Sequence, residues 1–596
     1  MYVVLLVFFL LQIWLVISLQ LFGDEAFYWL ESQYVDFSYA ELPAWTQWMI
    51  RLGTTLFGHN KFAVRSFSYL AYCSIFYALW LMNKNLCISP SARFFNIMLM
   101  LSVPIFVLVA VMAMPDIWLL FFIMWISYFV TMACRNNETK YWLIIGLFMA
   151  CGLNVHVRMW IWVFFAGLVF VILYFNQKQL IKSLFFISLP LSLFGLIPVI
   201  LFNYQHDFVL FNFQFGQRHP WDFQMKNISF LLSQFIVVTP VVLYVWFKTA
   251  YTVFTKPQIS TSVKWIVWTA IVHWLFYVFS SLFADGLRTT VHWVIISYIP
   301  LLAITTQVIN SQRLLLGAII TGNMVSLVML VFLNLPIGEN SNLQARILDN
   351  SMGWKQLSQQ VKIIQQQNSV DNIIADYFMT AAELAFELDI DLSQQNRLKV
   401  LPHKKNRKHG REKQLEIMGL LLKDTQSYQD SALLIIEDST LKLQDKGQYY
   451  QNICQSFKQI QYLQTINIEG TNKQFHVYMI NKLNQDKSAS CKIPPLFYID
   501  HKQINGDYEI SGWVVFHQYG IQSLTLRTGG KDITIPLYNL PNEGIAQQFS
   551  EINDPNQPLS GFQIQVKSSM IINKQLQILA KGNDQQEYLS KKYFIE

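Results

Sequence analysis

No Lys, Arg, Asp or Glu occurs between Met1 and Gly23. A helix that apolar crosses a hydrocarbon core about 30 Å thick, which takes roughly 20 residues. In lipid the backbone must satisfy its own hydrogen bonds, so a run of this kind is restricted to a helix. Hydropathy marks about 11 such segments, near residues 2–22, 63–82, 94–113, 117–134, 141–155, 159–175, 185–202, 228–248, 264–283, 293–309 and 314–335. The first lacks a basic leader and is longer than a signal peptide's apolar region, so a retained helix is expected. Charged residues make up 14% of the chain against a usual share of about 25%. The deficit lies before residue 336. Residues 336–596 are rich in Gln, Asn, Lys and Asp and read as soluble.

Basic residues orient the spans. Lys84 and Arg93, Arg135 and Lys140, Lys178 and Lys182, then Lys248, Lys256 and Lys264, and Arg313 fall in alternate short loops. The positive-inside rule places those loops in the cytoplasm. Loops 23–62, 113–116, 203–227 and 284–292 then face outward, and an odd span count puts residues 336–596 outside too. Within the soluble part, segments near 372–376, 432–436 and 475–480 read as strands alternating with helices at 340–366 and 377–388, a small α/β domain. From about residue 494 short alternating strands separated by Gly and Asn/Pro turns read as a β-sandwich. The expected architecture is a polytopic α-helical membrane protein with domains at 1–335, 336–490 (α/β) and 491–596 (β-sandwich).

The formal charge of +7 is dispersed, and no basic run stands beside stacking aromatics, so nucleic acid is not an expected partner. Six cysteines include no CxxC pair. Cys454 and Cys491, both in the soluble part, can pair if it faces an oxidising compartment.

Ionisable residues collect at the outer face, where near-membrane charges are functional candidates. The first outer loop opens with Gly23-Asp24-Glu25-Ala26-Phe27-Tyr28-Trp29. A partly desolvated carboxylate beside a second one can act as a general base toward a sugar hydroxyl. The plainer reading is that Asp24 and Glu25 cap the following helix. Other outer loops hold Met114-Pro115-Asp116, His206-Asp207, Gln217-Arg218-His219, and Asp285, Arg288, His292 and Trp293. The histidines His156, His206, His219 and His292 show no close metal-ligand spacing. Hydrogen bonding is the expected role, with no cofactor and a divalent metal as the minor alternative.

Asp24 to Trp29 resembles the Asp-Glu-Ala-Tyr-Tyr-Trp signature of bacterial glycosyltransferase family 39, dolichyl-phosphate-mannose protein mannosyltransferase-like enzymes of the C-type superfamily. Tyr39-Ala40-Glu41-Leu42-Pro43, Arg51-Leu52, Phe57-Gly58, Val64-Arg65, Asp116, Gly152-Leu153 with Arg158, the stretch from Pro198 to Arg218, Gly353-Trp354 and the stretch from His403 to Gln414 follow the family's order and spacing. The resemblance spans about residues 1–420. It departs where the family's Asp-His-Pro-Pro is Glu41-Leu42-Pro43-Ala44, and where the family Lys is Arg158. Relatives that modify lipid A carry Lys in place of that His, so whatever that charge meets must be met otherwise here.

The resemblance implies inverting transfer from a polyprenyl-phosphate-linked sugar to a glycan, lipid or protein hydroxyl outside a bacterial inner membrane. It implies Asp24 as base, with Glu25 and Asp116 orienting it or binding sugar. Arg158 becomes the first cation for the donor phosphate, with Arg65, Arg218 and Arg288 as further cations. Tyr39, Glu41, His206, Asp207, His292 and Trp293 become sugar or acceptor contacts. The alternatives are snorkelling anchors for the arginines and belt residues for the aromatics. A transporter or flippase of lipid-linked sugars is the competing function; it calls for midplane charges and paired repeats, which the sequence does not display. A membrane-anchored sugar-binding protein would need few spans.

Overall fold

The structure, a computed structural model, describes residues 2–218, 221–284, 291–334, 349–394, 396–425, 428, 430–457, 459–480, 491–549, 552–572 and 575–595. It forms two compact units. One is Met1–Leu335 with Arg407–Gln414; the other is Pro336–Asn406 with Leu415–Glu596.

The first unit is helical. Among the described residues, five helices are long and apolar enough to cross a membrane: Lys61–Asn85, Pro115–Asn136, Lys178–Gln205, Thr261–Ser281 and Gln312–Asn334. Two further pairs are bent, Val3–Ser18 with Gly23–Gln33 by 61° and Met225–Val237 with Pro240–Thr255 by 100°, giving up to seven by this measure. The eleven segments marked by hydropathy therefore do not all emerge as unbroken helices. Segment 94–113 divides into Pro90–Leu101 and Pro104–Val109. Pro104 lacks an N–H and cannot continue the preceding helix, but it suits a first turn. Segment 293–309 divides into Val291–Val294, Ile295–Leu302 and Thr305–Gln307. Thr139–Leu153 and Val157–Leu173 stay short. Large apolar side chains on the 178–205 helix, Phe186 and Phe194 among them, are exposed, as expected of a surface meant for lipid rather than water.

The first outer loop folds as helices Gly23–Gln33 and Trp45–Phe57. Helix Lys61–Asn85 then starts at Asn60, whose side chain accepts from Ala63 N at 2.8 Å. Helix Pro115–Asn136 begins with Pro115 at its first position, which places Asp116 in the opening turn.

The second unit carries a mixed sheet in the order β2-β1-β3-β5-β4. Its strands are β1 (Asn372–Ala375), β2 (Leu398–Val400), β3 (Ala432–Glu437), β4 (Ile460–Asn467) and β5 (Gln474–Ile480). β1 runs parallel to β2 and β3, while β5 is antiparallel to β3 and β4. Two antiparallel sheets follow. The first, β10-β11-β7-β6, joins Leu537–Leu540, Gly561–Val566, Asp507–Val515 and Leu496–Ile504. The second, β13-β12-β8-β9, joins Glu587–Leu589, Gln575–Gly582, Ile521–Thr528 and Lys531–Thr534, with β14 (Tyr593–Phe594) on β12. Ile510, Val514 and Ile564 of one sheet and Leu524, Leu526 and Ile578 of the other share one apolar core. A second core joins Leu434 and Ile436 of β3 to Trp513 and Val515 of β7. The expected boundary at 490/491 thus lies inside one unit, because the mixed sheet and the following strands bury apolar surface together. Cys454 and Cys491 form a disulfide with a Cα–Cα distance of 5.5 Å.

At the end of β1, Asp376 is fully buried. Burial and then the neighbouring Glu437 carboxylate push its pKa up to about 7. An unfolded Asp titrates near 3.9, so the native chain binds the extra proton between roughly pH 4 and 7. The stability this gives is full below the lower value and is lost as pH rises through the upper one. Asp376→Asn is expected to remove that slope, at most about 1.4 kcal/mol per pH unit, and to raise the melting temperature of the second unit at pH 8. Melting followed from pH 4 to 8 checks it; an unchanged slope in the variant refutes it.

Candidate active site

The two adjacent carboxylates of helix Gly23–Gln33 do different work. Successive helical residues point about 100° apart. Glu25 points inward, fully buried. It receives Arg65 Nε and Nη2 at 2.7 Å each, Ala113 N at 2.7 Å and Phe22 N at 3.0 Å. The Phe22 bond satisfies one of the amides that a helix start leaves open. Arg65 spends its other protons on the carbonyls of Leu19 at 2.9 Å and Gln20 at 3.0 Å. This is a closed, bidentate pair that ties the end of the first helix to helix Lys61–Asn85. Neither residue lines the cavity next door; the structure places both of these expected site residues in the ion pair behind it.

Asp24 faces that cavity, 30% exposed. Tyr28, one turn on, shares it with Glu41, Asp116, Arg158 and Arg218. Arg158 Nη1 meets Asp116 Oδ1 at 2.7 Å, and His292 Nε2 lies 3.6 Å from Asp116 Oδ2. Asp116 is thereby committed to holding Arg158. The guanidinium of Arg218 sits 5.2 Å from the Trp293 ring centre, a cation–π distance. His156 caps helix Val157–Leu173, its Nδ1 accepting from Arg158 N at 3.1 Å. Among the described residues, no group of three or more His, Cys, Asp or Glu is arranged to hold a metal ion.

Segment 407–414 belongs to this unit. Arg411 Nη1 is 2.7 Å from Asp24 Oδ1, and its Nε is 2.7 Å from Glu41 Oε2. Its guanidinium also lies 4.5 Å from the centre of the Phe27 ring. Ala40 N donates to Gln414 Oε1 at 2.8 Å. Gly410 makes the approach possible. Its φ is +76°, and a Cβ there would come within 2.7 Å of the Phe213 ring. Burial pushes the Glu41 carboxyl above the usual range, with the Arg411 guanidinium opposing. Leu42 and Arg411 line the same cavity.

A second cavity continues from the first. His156, Arg158, Arg218 and Trp293 line both. Beyond them the walls are mostly apolar, with Ile161, Phe215 and Phe276, beside the polar groups of Gln214, Tyr277 and Ser280.

Other expected contacts lie elsewhere. Tyr39 is buried, its hydroxyl donating to the carbonyls of Glu31 at 3.2 Å and Tyr34 at 3.3 Å; it shapes the loop. His206 ends helix Ile197–Gln205 with its ring 4.6 Å from Phe202. Asp207 is an exposed turn residue with φ +52°. Neither lines either cavity. Arg288 and His219 lie outside the described residues. Neither Arg411 nor Tyr277 is singled out by the sequence as a site residue. Arg411 stands in the basic stretch from His403 to Arg411, which reads as a solvated loop or, alternatively, as a cover for the active site or a contact for an anionic acceptor, and Tyr277 carries no signal inside an apolar helix.

The family profile for dolichyl-phosphate-mannose-protein mannosyltransferase matches residues 42–202. The membrane part resembles glycosyltransferase family 39. No curated protein matches the sequence. Two solved structures share the fold, both ArnT from Cupriavidus metallidurans. The apo form aligns with a TM-score of 0.57 and 12% identity, over 80% of this chain and 97% of that one. The form bound to undecaprenyl phosphate aligns with a TM-score of 0.55 and 12% identity over the same shares. The fold is therefore shared at an identity where few side chains are held in common. The profile starts at Leu42, so the acidic opening of the outer loop precedes it.

Proposed function

We propose that this chain transfers a sugar from a polyprenyl-phosphate donor to an acceptor hydroxyl on the extracytoplasmic side, with inversion. One observation carries the reading. A single cavity is lined by the Asp24 carboxylate and by two cations, Arg158 and Arg218, and the same two cations line an adjoining, mostly apolar cavity that Asp24 does not reach. This is what a lipid-linked sugar phosphate requires. The lipid occupies apolar walls, the phosphate meets two guanidiniums, and the sugar carbon lies between phosphate and base. Arg158 Nε is buried and has no hydrogen-bond partner among the described residues. A buried donor of this kind is costly unless a ligand or water completes it, and a phosphate oxygen suits it.

The chemistry is a displacement at the anomeric carbon. Asp24 accepts the acceptor hydroxyl's proton as its oxygen bonds that carbon. The bond from carbon to phosphate oxygen breaks, and the polyprenyl phosphate leaves with the electron pair. Arg158 and Arg218 stabilise the charge that gathers on it. Asp116 with His292 holds Arg158 in place. The Arg411–Asp24 contact must open before the acceptor hydroxyl reaches Oδ1. The ArnT structure holding undecaprenyl phosphate favours a polyprenyl carrier.

In this reading the broken and short helices count as crossings, giving eleven spans in a bacterial inner membrane. The second unit, with its α/β sheet and terminal β-sandwich, then lies outside. The Cys454–Cys491 bond supports that side, since disulfides persist in oxidising compartments.

Mass spectrometry of surface glycans, lipids and glycoproteins from cells with and without the chain tests the proposal. One class is expected to lose a single sugar residue while its polyprenyl-phosphate donor accumulates. Unchanged products, with lipid-linked sugar redistributed across the membrane, would make the chain a transporter instead.

A further inference from the structure

The second unit holds a cavity of about 240 Å³ that the transfer chemistry does not use. Its walls include Phe497 and Tyr498 of β6 and Tyr593 of β14, beside Asp438, Lys446 and Lys591. Tyr498 is 41% exposed, and its ring stacks on Trp513 at 5.9 Å with 19° between planes. That contact fixes the ring and leaves its other face toward solvent. The Tyr593 hydroxyl donates to the Phe497 carbonyl at 3.1 Å, which fixes a second ring.

The charges are unevenly committed. Asp438 is buried and already served by Lys446, by the Tyr450 hydroxyl at 2.8 Å and by His476 Nε2 at 3.6 Å. Lys591 is half-buried. Among the described residues no salt bridge engages it; its ammonium lies 5.4 Å from the Tyr593 ring centre. Burial and the neighbouring Lys446 charge depress its pKa, with the Asp438 carboxylate opposing. A partly buried cation is stabilised by an anion that reaches it. Fixed aromatic faces beside polar groups suit pyranose rings, whose C–H faces are apolar and whose edges hydrogen-bond.

We propose that this cavity binds an acidic saccharide, with the ring against Tyr498 and Tyr593 and its carboxylate or phosphate on Lys591. The choice of a saccharide rests on the transferase reading, since a glycan acceptor would be held near the enzyme by such a site; the site itself does not take part in transfer.

Calorimetry on the full chain in detergent tests it with three probes: trigalacturonate, mannose 6-phosphate and neutral maltotriose. At least one acidic probe is expected to bind about tenfold or more tighter than maltotriose, the scale of one charge-assisted hydrogen bond. Which acidic probe binds distinguishes carboxylate from phosphate. Lys591→Ala is expected to erase the preference, Lys591→Arg to keep most of it, and Tyr498→Ala to weaken every probe. Tyr498 is half-exposed, so that variant keeps the fold. No binding of either acidic probe, or wild-type binding by both Lys591→Ala and Tyr498→Ala, overturns the proposal. Transfer to a small soluble acceptor, measured on the same variants, is expected to stay at the wild-type rate. Binding without any transfer by the wild type would leave this site standing and remove the transferase reading; the reverse result would do the opposite.

Discussion

Replacing Asp24 with Asn is expected to reduce sugar transfer by about 10²–10⁴, the usual loss when a general base is removed. Asn keeps the shape of the side chain and an oxygen for Arg411, but it cannot take a proton from an incoming hydroxyl. The fold should tolerate the change. Asp24 is 30% exposed and the start of its helix is secured by Glu25, through Phe22 N and Arg65. The measurement is turnover of a polyprenyl-phosphate-linked sugar by purified variant and wild type, with equal yield and melting temperature as the folding check. Glu25→Gln is no substitute, because it leaves the buried Arg65 without its counter-charge, and loss of activity there would report folding. Near-wild-type turnover by Asp24→Asn would remove it as base and direct attention to Glu41, the other carboxylate within reach of Arg411.

The acid pair illustrates what the sequence does and does not disclose. The run from Asp24 to Trp29 announces an outer-face site, and helical periodicity implies that adjacent residues face different ways. Which of the two faces the cavity depends on where the first helix ends and on the partner brought by Arg65. Capping and catalysis are rival readings of one motif; Glu25 takes the first through Phe22 N, while Asp24 faces the cavity in contact with Arg411. Arg411 was harder. Its contact with Glu41 joins residues 370 positions apart, and nothing local in a stretch of Lys, Asn, Arg and His separates a paired cation from a solvated one.

The membrane spans show a different gap. Hydropathy sums apolarity over a window and is blind to a missing N–H, so segment 94–113 reads as one span although Pro104 breaks it. In the second unit, β1, β3 and β5 were legible because their residues are almost wholly buried and apolar. β4 and β6 carry a weaker signal; β4 is mostly half-buried and β6 is exposed over much of its length, and polar residues there dilute the period-2 pattern.

Arg158 gives the second large effect. Arg158→Ala is expected to lower donor kcat/KM by roughly 10–100-fold, the scale of one or two hydrogen bonds to a charged group. The change removes a counter-charge from the departing phosphate and also leaves buried Asp116 without its guanidinium partner, with the His292 ring at 3.6 Å. Ala alone would therefore mix a donor effect with a local structural one. Arg158→Lys separates them. A lysine ammonium restores the charge and is the residue type of the resembling family, but it is a point charge where Arg158 is a planar fork that meets Asp116 and, in the proposed mechanism, a phosphate at once. Much of the activity should return with Lys, and the residual deficit should lie in the donor term while acceptor KM stays near wild type. A donor titration at saturating acceptor, and the converse, decides it. Equal losses for Ala and Lys would mean that the fork geometry, through Asp116, is what matters. Wild-type behaviour by both would leave Arg158 as an anchor and pass the phosphate to Arg218, which lines the same two cavities.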